Sequence, residues 1–210
     1  SAFAFITSAY AGTISGNAGV TSNYLFRGVS QANGASVNGG LTYTDGALSI
    51  GASVYSLEGL STVNGDDADT EVNYVVSYAV NDALSVGATV YSYNGGTDLD
   101  GAASDRDGTE INLAYDLGVA SISYASGTEG AIDGDTALAL SYGFDITEGV
   151  TGSLTYGDVS PDVAAGAASA DYDYLQLDIS YENLTVSIVD GDTDGGADIS
   201  EVAVSYGFNF

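Results

Sequence analysis

The residues with the clearest potential for chemistry are the carboxylates near the end of the chain, between positions 190 and 201. The segment reads Asp-Gly-Asp-Thr-Asp-Gly-Gly-Ala-Asp-Ile-Ser-Glu and matches the calcium-loop pattern D-x-[DN]-x-[DN]-G-x5-E. Alternate carboxylates present oxygen ligands to one centre, a glycine allows a sharp turn, and the last glutamate closes the shell. The pattern predicts a Ca²⁺ site formed by Asp190, Asp192, Asp194, Asp198 and Glu201. A solvated acidic hairpin is the alternative, because strands rather than helices flank the motif.

The residue types that the chain lacks exclude several classes of enzyme. The sequence contains no Cys and no His. Without them there is no thiol nucleophile, no Ser-His-Asp triad and no His-ligated zinc. Two carboxylates could hydrolyse a glycosidic bond, but nothing singles out a pair among 29 acidic residues. We therefore predict that the protein is not an enzyme.

The charge of the chain is strongly one-sided. It has 29 acidic residues against two basic ones, Arg27 and Arg106, for a formal net charge of −27. Such a chain repels phosphate, so nucleic acid is excluded as a partner. It attracts cations, divalent ones above all, or it needs salt to screen its own charge. Solubility in salt alone is the simpler explanation of the composition.

The dominant pattern of the sequence is an alternation of apolar and small or polar residues. The last nine residues, 202–210, alternate without a break and end on Phe210. About twelve segments of roughly ten residues show the same period of two, which is typical of strands that cross a bilayer at a tilt. Their other faces carry Ser, Thr, Gly and Asn, so the pattern indicates apolar side chains outside and polar ones inside. Pairing of the last strand with the first would leave no exposed edge.

The connections between these segments alternate between short turns and long acidic loops. This alternation is typical of up-and-down hairpins whose short turns share one end of a barrel, and an even strand number puts both termini at that end. We predict an all-β fold, a closed up-and-down antiparallel transmembrane-type barrel of about 12 strands. A soluble sandwich or solenoid is the alternative. Tyrosines near strand ends suit an interfacial girdle; they are Tyr24, Tyr43, Tyr78, Tyr115, Tyr156, Tyr181 and Tyr206.

Four charged residues are predicted to line the lumen or its constriction. Arg27 is placed opposite Tyr24 and Phe26 near the loop end of the first strand, and therefore points inward. Glu71, Glu110 and Asp178 lie on the polar faces of later strands. A lone guanidinium in an acidic lumen pairs with carboxylates, either shaping a constriction or forming a structural ion-pair network. Arg106 is predicted to be a loop charge and no more.

The start of the chain is predicted to be separate from the barrel. Residues 1–15 form an apolar segment that could plug the lumen, add a strand or dock on a partner, and residues 16–210 form one barrel domain. Ala9-Tyr10-Ala11 resembles the end of a signal peptide, but the segment lacks a basic region, so we expect it in the mature chain.

A short stretch of the first quarter of the chain resembles a known family. Ser-Asn-Tyr at 22–24, Phe-Arg-Gly at 26–28 and Ser-Gln at 30–31, followed by Ala-Ser-Val-Asn-Gly-Gly-Leu-Thr-Tyr at 35–43, resemble the N-terminal signature of the TorF-type porins. These are outer-membrane β-barrels of Gram-negative bacteria, and the Phe-ended C-terminus agrees with them. The resemblance implies an outer-membrane barrel but no particular substrate.

Two functional hypotheses follow. The first is a passive, cation-preferring porin-like channel in the outer membrane, with lipid, small cations or solutes as partners and a homo-oligomer as a further option. The second is an assembly subunit that forms arrays or extracellular fibres through its N-terminal segment and Ca²⁺-bridged acidic loops.

Overall fold

The computed structural model describes residues 12–32, 34–61, 67–94, 106–162 and 171–210, and within these residues every regular element is a β-strand. The described part of the chain holds no helix long and apolar enough to cross a membrane. The strands are β1 Thr13–Thr21, β2 Leu25–Phe26, β3 Val29–Ser30, β4 Ser36–Asp45, β5 Leu48–Ser61, β6 Asp67–Ala79, β7 Leu84–Asn94, β8 Gly108–Asp116, β9 Ala120–Gly130, β10 Thr136–Thr147, β11 Val150–Ser160, β12 Tyr172–Tyr181, β13 Leu184–Thr193 and β14 Asp198–Asn209.

Twelve of these strands close into one antiparallel barrel. The order around the wall is β1-β14-β13-β12-β11-β10-β9-β8-β7-β6-β5-β4, and β1 completes the ring by pairing with β4. At the seam, Ala18 lies opposite Phe208 on β14 and Gly39 on β4. Phe210 adds backbone hydrogen bonds of 2.7 and 3.0 Å with Gly16. The predicted closed barrel of about 12 strands is confirmed.

The two faces of the wall differ as the alternation predicts. Apolar side chains on the outer face are exposed, for example Val202 at 59% and Leu41 at 57%. Apart from an apolar cluster near one end, inward-facing neighbours are mostly small or polar, and Ser15, Asn73 and Thr89 among them are buried. A barrel that folds in water would place its apolar residues inside, because burial of apolar surface drives folding there. This barrel shows the inverse arrangement.

The two ends of the barrel carry different connections. The strands at one end, which we call the turn end, are joined by connections of two to four residues. Positive φ angles occur in these turns at Gly46 (58°) and Glu182 (51°), the backbone conformation that two-residue hairpins require. The other end, which we call the loop end, carries the longer connections, including residues 62–66, 95–105 and 163–170, which lie outside the described residues.

The first strand differs from the prediction at both of its ends. It begins at Thr13, where Thr13, Ile14 and Ser15 pair with β4, so the predicted segment 1–15 overlaps the barrel by three residues. The reason is that Ile14 already continues the outward apolar pattern of β1. Residues 1–11 lie outside the described residues. At its other end β1 stops at Thr21, before Tyr24 and Phe26, which were expected on its outward face.

Candidate channel constriction

The connection between β1 and β4 forms a small hairpin, β2–β3, inside the loop end of the barrel. Arg27 (φ 50°) and Gly28 (φ 80°) make its two-residue turn, and both positive φ angles fit a type I′ turn. The Gln31 N–H donates to the Tyr24 carbonyl at 2.7 Å and extends the pairing. A side chain at position 28 would collide with the Tyr174 ring of β12, so the hairpin tip needs glycine. We call residues 22–32 the lumenal hairpin.

One face of the lumenal hairpin rests on an apolar part of the inner wall. Leu25 and Val29 pack against a buried cluster on β11–β14, formed by Val159, Tyr174, Val189 and Ile199. Val189 is only 1% exposed, so the contact is tight. Near the loop end the lumen is therefore apolar on this side, in contrast to the polar wall below. Burial of apolar side chains from both partners holds the hairpin within the barrel.

The tip of the lumenal hairpin is tied to the wall on the opposite side. The Arg27 Nη2 atom lies 2.8 Å from Glu110 Oε2 on β8, and Glu110 is 3% exposed. The Tyr91 hydroxyl donates to the other oxygen, Glu110 Oε1, at 2.7 Å. In the order of strands, β8 stands seven steps from β1 in one direction and five in the other. The hairpin therefore spans the lumen from wall to wall.

A second buried carboxylate, that of Glu71, forms a hydrogen bond with the lumenal hairpin at Tyr24. The Tyr24 hydroxyl and the Asn73 amide donate to Glu71 Oε1 at 3.2 and 2.7 Å, and Glu71 is 2% exposed. Tyr24 also stacks on Tyr55 of β5, with ring centroids 4.5 Å apart. Tyr24 thus faces the lumen and does not belong to the predicted outer girdle. The other six predicted girdle tyrosines are exposed on the outer face.

The remaining lumenal charges lie at separate places. The Arg106 guanidinium lies 4.9 Å from the centre of the Tyr93 ring, so this residue is more than the loop charge that was predicted. Asp178 accepts hydrogen bonds from Ser153 (3.3 Å) and Gln176 (3.0 and 3.1 Å) on its own part of the wall. Arg27, Glu71 and Glu110 therefore gather around the hairpin, and Asp178 does not join them.

The predicted calcium ligands are not brought together. The β13–β14 ladder continues through the motif, where Asp190 pairs with Ser200 and Asp192 with Asp198. Asp190 is exposed on the outer face, whereas Glu201 faces inward and accepts a hydrogen bond of 2.9 Å from Asn23. Strand alternation thus separates groups that a calcium loop would wrap around one ion. Among the residues that the structure describes, no group of three or more carboxylates is placed to hold a metal.

The outer rim of the loop end carries an unusual row of like charges. Asp158, Asp173, Asp192 and Asp198 lie on four successive strands, and each pairs directly across the ladder with the next. All four side chains are exposed. Carboxylates directly opposite each other on one face destabilise a sheet unless solvent and salt screen them. We call these four residues the aspartate row.

One loop-end carboxyl lies in a less solvated position than the aspartate row. Burial raises the pKa of Asp135, and the Asp162 N–H, which donates to Asp135 Oδ1 at 2.7 Å, partly opposes this shift. The positive charge of Arg27 also lowers this pKa. The loop end therefore carries two kinds of carboxyl group: the exposed ones of the aspartate row, and the partly buried one of Asp135.

Sequence reasoning missed the lumenal hairpin because Tyr24 and Phe26 continue the alternation of β1. The signal that could have found it is Leu-Phe-Arg-Gly-Val at 25–29, in which apolar residues stand on both sides of a dipeptide that ends in glycine.

Comparisons with known proteins found similar solved structures only. No family model and no curated protein sequence matches the chain. A mutant of a porin of Rhodopseudomonas blastica with five substitutions is 19% identical, with a TM-score of 0.47. A triple mutant of that porin gives the same two values, and a further mutant is 17% identical with a TM-score of 0.46. In each case the match covers 82% of this chain and 55% of the porin chain, so this chain spans about half the length of those structures.

Proposed function

We propose that this protein is a porin-like channel of the outer membrane of a Gram-negative bacterium, and that it passes small cations in preference to anions. The observation that carries the proposal is the inverted distribution of polarity in a closed barrel. Exposed Val, Leu, Ile and aromatic side chains form the outer face, and polar side chains line the lumen. A closed barrel satisfies its backbone hydrogen bonds internally, which a bilayer requires of any structure that spans it.

The outer face supports this position in a membrane through its aromatic residues. Tyr43, Tyr78, Tyr115 and Tyr181 are exposed close to the short turns. Tyrosines prefer the boundary between lipid and water, where the ring contacts apolar groups and the hydroxyl contacts water. At the other end the outer face changes from apolar residues to the aspartate row, which marks the start of the aqueous side. The turn end then faces the periplasm.

The preference for cations follows from the charges along the path. The described wall carries inward-facing carboxylates at Glu71, Glu110, Asp178 and Glu201, and the guanidinium groups near them are those of Arg27 and Arg106. The whole chain adds a net charge of −27. Carboxylates lining or surrounding a pore raise the local concentration of cations and repel anions. The lumenal hairpin narrows the path and limits it to small ions and solutes.

The test has two parts, which concern the membrane and the channel. The protein should leave bacterial membranes with detergent and remain with them in high salt or alkaline washes. Purified protein added to a planar lipid bilayer should then produce discrete conductance steps. Release by salt alone, or a bilayer that stays silent with folded protein, would contradict the proposal.

The alternative of an assembly subunit depends mainly on residues 1–11 and on bridging of acidic loops by Ca²⁺. The segment and most of the loop residues lie outside the described residues. Removal of residues 1–11 separates the two uses, because assembled arrays would be lost while a channel would still conduct. Association of the barrel into a homo-oligomer stays a prediction.

A further inference from the structure

A cavity of about 330 Å³ lies in the lumen on the turn-end side of the hairpin. The wall strands β1, β4 and β12–β14 contribute to it, and Tyr24 and Leu25 of the lumenal hairpin close it from above. Its volume lies at the lower end of the range for small-molecule sites, roughly 300–1,000 Å³. We call it the amide cavity, for the side chains described next.

The polar lining of the amide cavity is neutral. No Asp, Glu, Lys or Arg is among its described lining residues, although the chain as a whole is strongly acidic. Its polar side chains are amides and hydroxyls, the stacked pair Tyr24 and Tyr55 contributes aromatic surface, and Leu25 and Ala203 contribute apolar surface. The amides of Asn17 and Asn38 make no hydrogen bond to another described residue. They are therefore available to a solute.

The sheet register explains why the amide cavity is concave. Inward-facing positions alternate between asparagine and glycine where β4, β1 and β14 meet. Gly19 lies opposite Asn38 on β4 and Gly207 on β14, and Asn17 lies opposite Asn209. Gly19 and Gly40 leave room for the neighbouring amides, since the Oδ1 atoms of Asn38 and Asn17 lie 2.7 and 3.3 Å from the positions that added Cβ atoms would take. The glycines therefore let these amides lie along the wall and keep larger side chains out of the cavity.

From this lining we propose that the amide cavity binds a neutral, hydroxyl-rich solute with the chemistry of a small sugar. Each amide offers both a donor and an acceptor, which suits hydroxyl groups that need both. An anionic solute would be repelled by Glu201 and Asp178, whose carboxylates accept hydrogen bonds from the lining amides of Asn23 and Gln176. An apolar solute would cover the amides of Asn17 and Asn38 without bonding to them. The site rests on the proposed channel and names a class of solute that it admits.

The direct test is saturation-transfer NMR on the full chain folded in detergent, with three sugars of one size. Glucose is the neutral probe, glucosamine carries an ammonium group, and gluconate carries a carboxylate. In about 1 M NaCl the Debye length is about 3 Å, so general attraction to the acidic surface is suppressed. We expect signal transfer to glucose, weaker transfer to gluconate, and no stronger transfer to glucosamine than to glucose in this salt. No transfer to glucose, or equal transfer to all three, overturns the proposal.

Two variants locate the binding and a third serves as a matched control. Asn17→Ala with Asn38→Ala removes two of the lining amides that make no side-chain hydrogen bond to a described residue, and should weaken glucose binding by about tenfold. Gly207→Leu should fill the cavity, and its added Cβ meets nothing nearer than the Ala18 carbonyl at 3.9 Å. Gly143→Leu changes another inward-facing glycine with open space around it, away from the cavity, and should bind as the wild type does. Binding that all three variants retain overturns the proposal.

Conductance of the same preparation separates this site from the channel itself. A protein that conducts cations and does not bind glucose contradicts the amide cavity and leaves the channel standing. A protein that binds glucose through Asn17 and Asn38 and never conducts supports the cavity and contradicts the channel.

Discussion

At the scale of single residues, the pair Arg27–Glu110 decides where the lumenal hairpin sits. Glu110 is 3% exposed, and its two oxygens are bound by Arg27 and by the Tyr91 hydroxyl. Removal of the guanidinium leaves a buried carboxylate with one neutral donor, which costs more than the loss of the pair as a whole. The ion pair therefore holds the hairpin in place mainly because breaking the pair would leave a buried carboxylate without its counter-charge.

A double-mutant cycle tests this role. Arg27→Met should destabilise the folded barrel by about 3 kcal/mol, the low end for a buried pair, because the arginine side chain is 23% exposed. Adding Glu110→Gln should restore part of that loss, because the neutral amide no longer needs a counter-charge. The measurement is urea or thermal unfolding in detergent. A double variant as unstable as the sum of the two single variants would refute the coupling.

The Arg27–Glu110 contact also shows which part of the site the sequence could not predict. An inward arginine paired with carboxylates could be predicted from the composition, but the partner could not, because it lies 83 residues away. Their contact requires a closed barrel and a hairpin that crosses it. The five predicted calcium ligands lie apart for a related reason, since the motif describes spacing along the chain and the ladder determines which face each carboxylate takes.

At the scale of elements, periodicity predicts the barrel strands and does not reveal the hairpin strands. A wall strand of ten residues repeats its period five times, whereas β2 and β3 have two residues each. Their position depends on Leu25 and Val29 packing against residues of β11–β14. Such packing between distant parts of the chain leaves no periodic signal.

Shortening of the lumenal hairpin tests whether it narrows the path. Replacement of residues 25–29 by two glycines removes the tip, the ion pair and the apolar contact, and leaves β1 and β4 intact. We expect a larger single-channel conductance and a lower melting temperature, because the hairpin both fills the lumen and buries apolar surface. As a control, replacement of the four-residue turn 194–197 by two glycines should leave the conductance unchanged. Equal conductance with and without the hairpin tip would contradict a constriction at this level.

The aspartate row gives a second prediction at this scale. Asp173 faces Asp158 on one side and Asp192 on the other, so Asp173→Asn should raise the melting temperature at low salt by about 1–3 °C. The gain should vanish in about 1 M NaCl, where the charges are screened. Glu148→Gln, in an exposed turn at the other end, is the matched control. A loss of stability in Asp173→Asn that appears only with Ca²⁺ would instead indicate that cations bridge the row.

At the scale of the whole molecule, the inverted polarity of the barrel and its net charge of −27 act together. The apolar outer face is suited to a lipid environment. The closed ladder pairs the backbone N–H and C=O groups with one another, which a lipid environment requires. Under the proposed function, the acidic interior and rim determine which ions approach and enter. The fold class follows from a pattern that extends over the whole chain, which is why the sequence alone could predict it.

The measurement that tests this account most directly is the reversal potential of purified protein in a planar bilayer with unequal KCl on the two sides. The account predicts a potential close to the equilibrium value for K⁺, and a preference that weakens as ionic strength rises and screens the carboxylates. A reversal potential with the sign of Cl⁻ selectivity, or folded protein that produces no conductance, would contradict it.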